Sequence, residues 1–305
     1  MGEINFYGLH KVTAEQLLTA LNLKSGDPLP PSKTDLEDRL TDVEGVLDAH
    51  VEAVCCEGPK ATLFIGIEEQ DGPHFNTRNA PAGDGVLPDT LLGQYRDYVA
   101  SMTRAAASGG AADPDARRLE DAFAAYAADN LPLLRDVLRS GSESDQRAVA
   151  ATVIGYAPNK ADVVNDLQYA LQDPEDSVRA NAARSLKSIA VFAERNPASD
   201  IKVMPLGLVA MLNSIVLSDR LQAAQALVVL TSHPNPEALG LMQEGALSSL
   251  IEMARWKMSD YAQPAFLLLG RIGGIPDSDL QAQWQNGDRE TVIAKAAASG
   301  ARTGR

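Results

Sequence analysis

The residues able to ligate a metal or carry acid–base and nucleophilic chemistry are few and scattered. The four histidines are His10, His50, His74 and His233. None stands four residues from another, so the helical spacing that puts two imidazoles on one ion does not occur. Surface or loop roles are expected for all four. Cys55 and Cys56 are the only cysteines. Neighbouring cysteines lack CxxC spacing, and a ring closed between them is strained. In a strand their side chains face opposite ways, which predicts Cys55 in the core and Cys56 as a partly exposed thiol. Asp277 and Asp279 precede a helical run, where capping suits them better than acid–base work. Gly270, Gly273 and Gly274 around Arg271 read as a helix ending. No GxGxxG, Walker loop or GxSxG elbow is present. Met242, Met253, Met258, Trp256 and Trp284 read as packing residues. The chain is therefore expected to bind rather than to catalyse. No catalytic, metal-binding or cofactor-binding residues are assigned, and no cofactor is expected.

Charge narrows the partners. The formal charge of −14 repels phosphate backbones and anionic lipid, so nucleic acid and membrane surfaces are poor partners, and protein or peptide is the expected one. Over half of this excess lies in residues 1–70, with thirteen acids against five bases. No apolar run approaches the ~20 residues of a membrane span. Strand-like sequence begins at Ile4, so no signal peptide is read at the start.

The elements that position these residues fall into two kinds. Residues 3–69 read as strand, helix, helix, strand, strand, an α+β domain. Ile4 and Phe6 alternate with polar neighbours before Gly8. Thr13 and Gln16 form a capping box for a helix bearing Leu17, Leu18 and Leu21. Leu36 and Leu40 mark a second helix from about Thr34. A strand over 46–55 places Ala49, Val51, Ala53 and Cys55 on one face. After a turn at Glu57-Gly58-Pro59, Leu63, Ile65 and Ile67 alternate cleanly. Residues 70–87, rich in Gly and Pro, read as a linker. Residues 88–300 read as almost wholly helical.

That helical part repeats. Gln146-Arg147-Ala148-Val149-Ala150-Ala151 matches Val178-Arg179-Ala180-Asn181-Ala182-Ala183 and Asp219-Arg220-Leu221-Gln222-Ala223-Ala224, with a looser copy at Asp260–Ala265. The equivalent alanines, Ala151, Ala183, Ala224 and Ala265, are spaced by 32, 41 and 41. Small residues at this seam let neighbouring helices approach, and each helical pair buries its face on the next.

Two resemblances follow from these residues. Ile4-Asn5-Phe6-Tyr7-Gly8-Leu9, Val12-Thr13, Leu21 to Asp27, Arg39 to Val46 and Ala49-His50-Val51 make residues 3–69 resemble a POTRA domain, a βααββ module of envelope proteins. The resemblance implies protein binding on the extracytoplasmic side of bacterial membranes, and a second strand lying at a sheet edge. Asp173-Pro174-Glu175-Asp176-Ser177-Val178-Arg179-Ala180-Asn181-Ala182-Ala183-Arg184-Ser185-Leu186 makes residues 129–272 resemble HEAT repeats (an armadillo-like superhelical solenoid), which implies a scaffold for proteins or peptides. In that family an Asp and the Arg six residues on join neighbouring repeats. Asp173 and Arg179 fit, but Gly141 and Ser214 stand six before Arg147 and Arg220. One repeat at most is expected to keep the pairing.

The reading is an adaptor of the bacterial envelope, periplasmic or otherwise extracytoplasmic. A cytoplasmic HEAT scaffold and a lyase-type enzyme on the same scaffold are the alternatives. Two binding surfaces are expected. One is the edge of the strand over 46–54, with Asp48, His50 and Glu52 pointing outward. The other is the inner curve of the helical stack, with columns Thr152, Arg184, Gln225, Phe266 and Val149, Asn181, Gln222, Gln263, including an exposed aromatic at Phe266. If the seam register is right, Ala183→Leu overpacks a helix contact, costing about 1–3 kcal/mol. Thermal melting checks this, and an unchanged midpoint would mean the register is wrong.

Overall fold

A computed structural model describes residues 1–57, 60–110 and 113–303. Gly58 and Pro59 of the expected turn, and the Cys56 side chain, lie outside the described residues. Packing divides the chain into two compact units, residues 1–76 with 208–305, and residues 77–207.

The first unit opens with the expected βααββ order: β1 (Ile4–Tyr7), α1 (Ala14–Leu21), α2 (Lys33–Thr41), β2 (Val46–Glu57) and β3 (Lys60–Glu69). Thr13 and Gln16 close the capping box at α1. The sheet order is β1-β3-β2, with β1 parallel and β2 antiparallel to β3. Alternation sends Val51, Leu63, Ile65 and Ile67 towards Leu17, Leu21, Leu36 and Leu40 of the two helices. This face accounts for the leucine periodicity of α1 and α2.

The opposite face of the sheet is buried as well. Tyr7 and Phe64 meet Trp256 edge-on, with ring centroids 5.6 and 5.1 Å apart. The Tyr7 hydroxyl donates to the Ile215 carbonyl at 2.6 Å, and burial raises its pKa. Gly66 lies between Phe64 and Ile67, and a Cβ there would fall 2.0 Å from the Ile215 oxygen. Only glycine permits that approach.

Among the described residues every regular element after β3 is helical, apart from an isolated bridge between Gly83 and Gly141. The second unit contains α3 (Asp89–Ala107), α4 (Pro114–Ser140), α5 (Ser144–Val153), α6 (Val164–Ala170) and α7 (Asp176–Arg195). α4 bends at Asn130, two residues ahead of Pro132. α8 (Leu206–Met211) precedes the helices of the first unit: α9 (Leu217–Leu230), α10 (Pro236–Gly245), α11 (Leu247–Arg255), α12 (Ser259–Ile272), α13 (Asp277–Gln285) and α14 (Arg289–Thr303). The protein is thus a small α+β sheet domain with an all-α HEAT-like region. Ala151, Ala183, Ala224 and Ala265 are all fully buried.

Residues 77–87 run extended against the second unit. The Arg78 amide donates to Gln172 O, Gly83 N–H to Ser140 O, and Ser142 N–H back to Gly83 O. The Arg78 guanidinium lies 3.4 Å over the Tyr169 ring, and Leu87 is buried.

The repeat junctions depart from expectation. Arg147, Arg179 and Arg220 are all buried, and each bonds the main-chain carbonyl six residues earlier: Gly141, Asp173 and Ser214, at 3.0, 2.8 and 2.6 Å. Arg147 also grips Asp173 of the following repeat with two bonds of 2.9 and 2.8 Å. Arg220 reaches Glu252 with one bond of 3.1 Å. The near-end bond is therefore made at all three arginines, because it uses a peptide carbonyl that any residue supplies, and Arg147 and Arg220 extend it to an acid further along the chain.

Removing one end of such a pair strands a buried charge. Arg147→Met is expected to cost about 3–5 kcal/mol by urea denaturation. Adding Asp173→Leu should recover a substantial part of that loss. A double variant as weak as the single would show that the carboxylate is not the stranded group.

Candidate functional site

The edge strand is the simpler of the two expected surfaces. β2 does lie at an edge, but its outward amides are partly occupied from within. Asp48 Oδ1 accepts from the Ala49 N–H, and Glu37 Oε1 of α2 from the Val51 N–H, both at 2.8 Å. Ala53 carries the next outward amide by parity and is exposed. His50 is half-buried, with Nδ1 3.7 Å from Glu37 and Nε2 3.3 Å from Lys33. Glu52 is half-buried on the Phe64 face of the sheet instead of pointing away from it. Of the three expected outward residues only Asp48 is exposed.

Ala53 and Cys55 are also exposed, where the strand pattern placed them in the core. Cys55 is disulfide-bonded, which corrects the expectation of separate thiols.

The helix columns behave differently in the two units. In the second unit Val149, Thr152 and Asn181 are buried and Arg184 is exposed. The cause is α3, which lies on this face. Asn181 Nδ2 donates to Tyr95 Oη of α3 at 2.8 Å and to Ala148 O at 2.9 Å, while its Oδ1 accepts from Arg184 at 2.8 Å. One turn along, the Tyr98 and Tyr156 hydroxyls meet at 3.2 Å, and Tyr156 donates to Glu120 at 3.3 Å. Phe123 lies against both rings, edge-on to Tyr98 and tilted to Tyr156. Burial raises the pKa of both tyrosines, so they stay protonated.

Between α3, α4, α5 and α7 a cavity of about 670 Å³ remains. Val99 and Met102 of α3 line it while staying 45% and 46% exposed, so its mouth is apolar. Lys160 lines it too, donating to Gly155 O at 2.7 Å. Burial lowers the pKa of Lys160 and of Lys187, the latter with help from Arg184.

In the first unit Gln222 and Gln225 are half-buried and Gln263 is exposed. Phe266 is fully buried against Trp284, with ring centroids 5.0 Å apart. The expected exposed aromatic is therefore a core residue, because α13 covers it. Gln222 Oε1 is sealed from solvent with no donor among the described residues.

Asp277 sits in the first turn of α13 and not at its cap. It is held by Arg271 at 2.8 and 3.2 Å, which lowers its pKa. Gly273 and Gly274 end α12 as expected. Among the described residues no three His, Cys, Asp or Glu side chains are grouped to hold a metal, and no helix is long and apolar enough to cross a membrane.

The role of α3 went unread in the sequence, although Tyr95, Tyr98, Val99 and Met102 follow the i, i+3, i+4, i+7 spacing of a docking face. Asn181→Leu would strip the Tyr95 hydroxyl and the Ala148 carbonyl of their donor, at about 1–3 kcal/mol. Hydrogen exchange should then show α3 amides opening roughly tenfold faster or more, with α7 little changed. Equal protection of α3 in both proteins would remove this contact as its anchor.

Residues 131–201, less than a quarter of the chain, match the family model for HEAT repeats. No curated protein and no solved structure matches. HEAT repeats mediate protein interactions, and the match suggests a protein-binding scaffold; within residues 131–201 the Arg147 rung and the buried Ala151 and Ala183 tie the helices together.

Proposed function

We propose that this protein is an adaptor of the bacterial cell envelope that receives a partner helix on the α9–α12 face, through Gln222, Gln225 and Gln263. The carrying observation is the bond from Asn181 to Tyr95. In the second unit the chain places its own amphipathic helix on the repeat face, which is the helix-in-groove mode of recognition. Gln222 and Gln263 stand two residues before their seam alanines, as Asn181 does. They carry the same amide chemistry without a helix of their own bonded to it among the described residues. The unmatched Gln222 oxygen supports this reading, since a sealed acceptor without a donor costs free energy that turning the half-buried side chain towards a partner N–H would relieve.

The resemblance of the front domain to POTRA modules supports the envelope assignment. The net charge of −14 favours protein over nucleic acid or anionic lipid. The exposed edge at Ala53 favours a second mode, strand addition over the outer end of β2.

A photo-crosslinking residue placed at Gln263 in living cells tests the proposal. Crosslinks to one protein, recovered in the envelope fraction and lost with Gln222→Ala, are the expected outcome. Crosslinks only from Ala53 would move the site to the strand edge. Crosslinks only to cytoplasmic proteins would sink the envelope role.

A further inference from the structure

We propose that the cavity under α3 is a binding site for a small apolar carboxylic acid, a molecule with a hydrocarbon or aryl body and one anionic head. Every residue that lines it belongs to the second unit. Its volume of about 670 Å³ sits in the usual range for small-molecule pockets.

The inventory of polar groups defines the head. Thr152, Ser185, Ser188 and Thr103 turn their hydroxyls onto carbonyls of Ala148, Ala151, Arg184 and Val99. None of these hydroxyls offers its proton to a ligand. Tyr98 and Tyr156 form a relay ending on Glu120, which ties up the one carboxylate in the lining.

Three donors retain unused capacity. The Tyr95 hydroxyl accepts from Asn181 and keeps its own proton uncommitted. Arg184 uses one N–H on Asn181. Lys160 uses one on Gly155. The lining is therefore donor-rich and carries two cations against one engaged anion, on a chain whose overall charge is −14. A carboxylate satisfies Arg184 and Lys160 with charge-assisted hydrogen bonds.

The body is defined by what remains. Val99, Met102, Ala106 and Ile189 make the apolar wall, with the tyrosine rings beside them. Val99 and Met102 are nearly half exposed on a helix whose buried side chains are Leu91 and Ser101, so a ligand between them and α7 removes apolar surface from water. Lys160 fits the same picture. Its ammonium is destabilised by burial, and an incoming anion compensates that desolvation.

The test is calorimetric titration of the full chain with dodecanoate, dodecanol and dodecyltrimethylammonium, below their micelle concentrations. One saturable site for dodecanoate is expected, at least tenfold tighter than dodecanol, with no site for the cation. Arg184→Gln, at an exposed position, should weaken dodecanoate about tenfold and leave dodecanol unchanged. Met102→Trp, also exposed, should fill the cavity and abolish both. Equal affinity for acid and alcohol, or dodecanoate binding unmoved by Met102→Trp in a protein of unchanged circular dichroism, would overturn the proposal. So would tighter binding of an apolar tetrapeptide with a free C-terminal carboxylate than of dodecanoate. Gln222→Ala should leave dodecanoate binding intact, which separates this site from the helix-binding face proposed above.

Discussion

A guanidinium sealed from water must find an acceptor for its N–H groups, and Arg147 makes four hydrogen bonds, two to the Asp173 carboxylate and two to the carbonyls of Gly141 and Ser142. That one side chain ties the turn ahead of α5 to the turn ahead of α7. Arg220 repeats the construction, from Ser214 O to Glu252. Burying ion pairs adds little net stability compared with apolar packing. What the rung contributes is register: a helical pair displaced along its neighbour would leave an arginine and an acid unpaired in a dry interior. The alanine seam permits close approach, and the rung selects which approach is taken.

The Arg220 rung also reaches the sheet. Glu252 accepts from the Gly8 N–H at 3.0 Å, and the Arg220 guanidinium lies 4.6 Å from the Tyr7 ring centroid. One carboxylate thus serves a repeat junction and the end of β1 together. The demand explains why Gly8, at φ +81, directly follows the buried Tyr7. A left-handed residue turns its amide onto Glu252, and a Cβ there would strike the Ile67 carbonyl at 2.2 Å.

Local pattern read the elements well, because alternation and capping are short-range signals. The Thr13 box, the leucine faces of α1 and α2, the order βααββ and the alanine seam were all legible in this way. The rung at Arg147 was missed because its acid lies 26 residues on, in the next repeat, whereas the sequence comparison looked six residues back. Phe266 was misplaced for a related reason. Its offset from the seam is that of Arg184, but α13 covers only Phe266, and no period in the repeat announces an added helix. Likewise, Ala53 and Cys55 alternate correctly, yet β2 runs past the helices that would have covered them. Periodicity says which residues share a face; it does not say how far the covering layer extends.

The first unit is assembled from the two ends of the chain, and this orders its birth. Tyr7, Phe64 and Gly66 emerge from the ribosome well before Ile215 and Trp256, which bury them. At typical elongation rates the delay is on the order of ten seconds. Throughout it the sheet has one face closed by α1 and α2 and an aromatic face still without its cover. The incomplete chain therefore presents an apolar sheet surface that the finished one conceals.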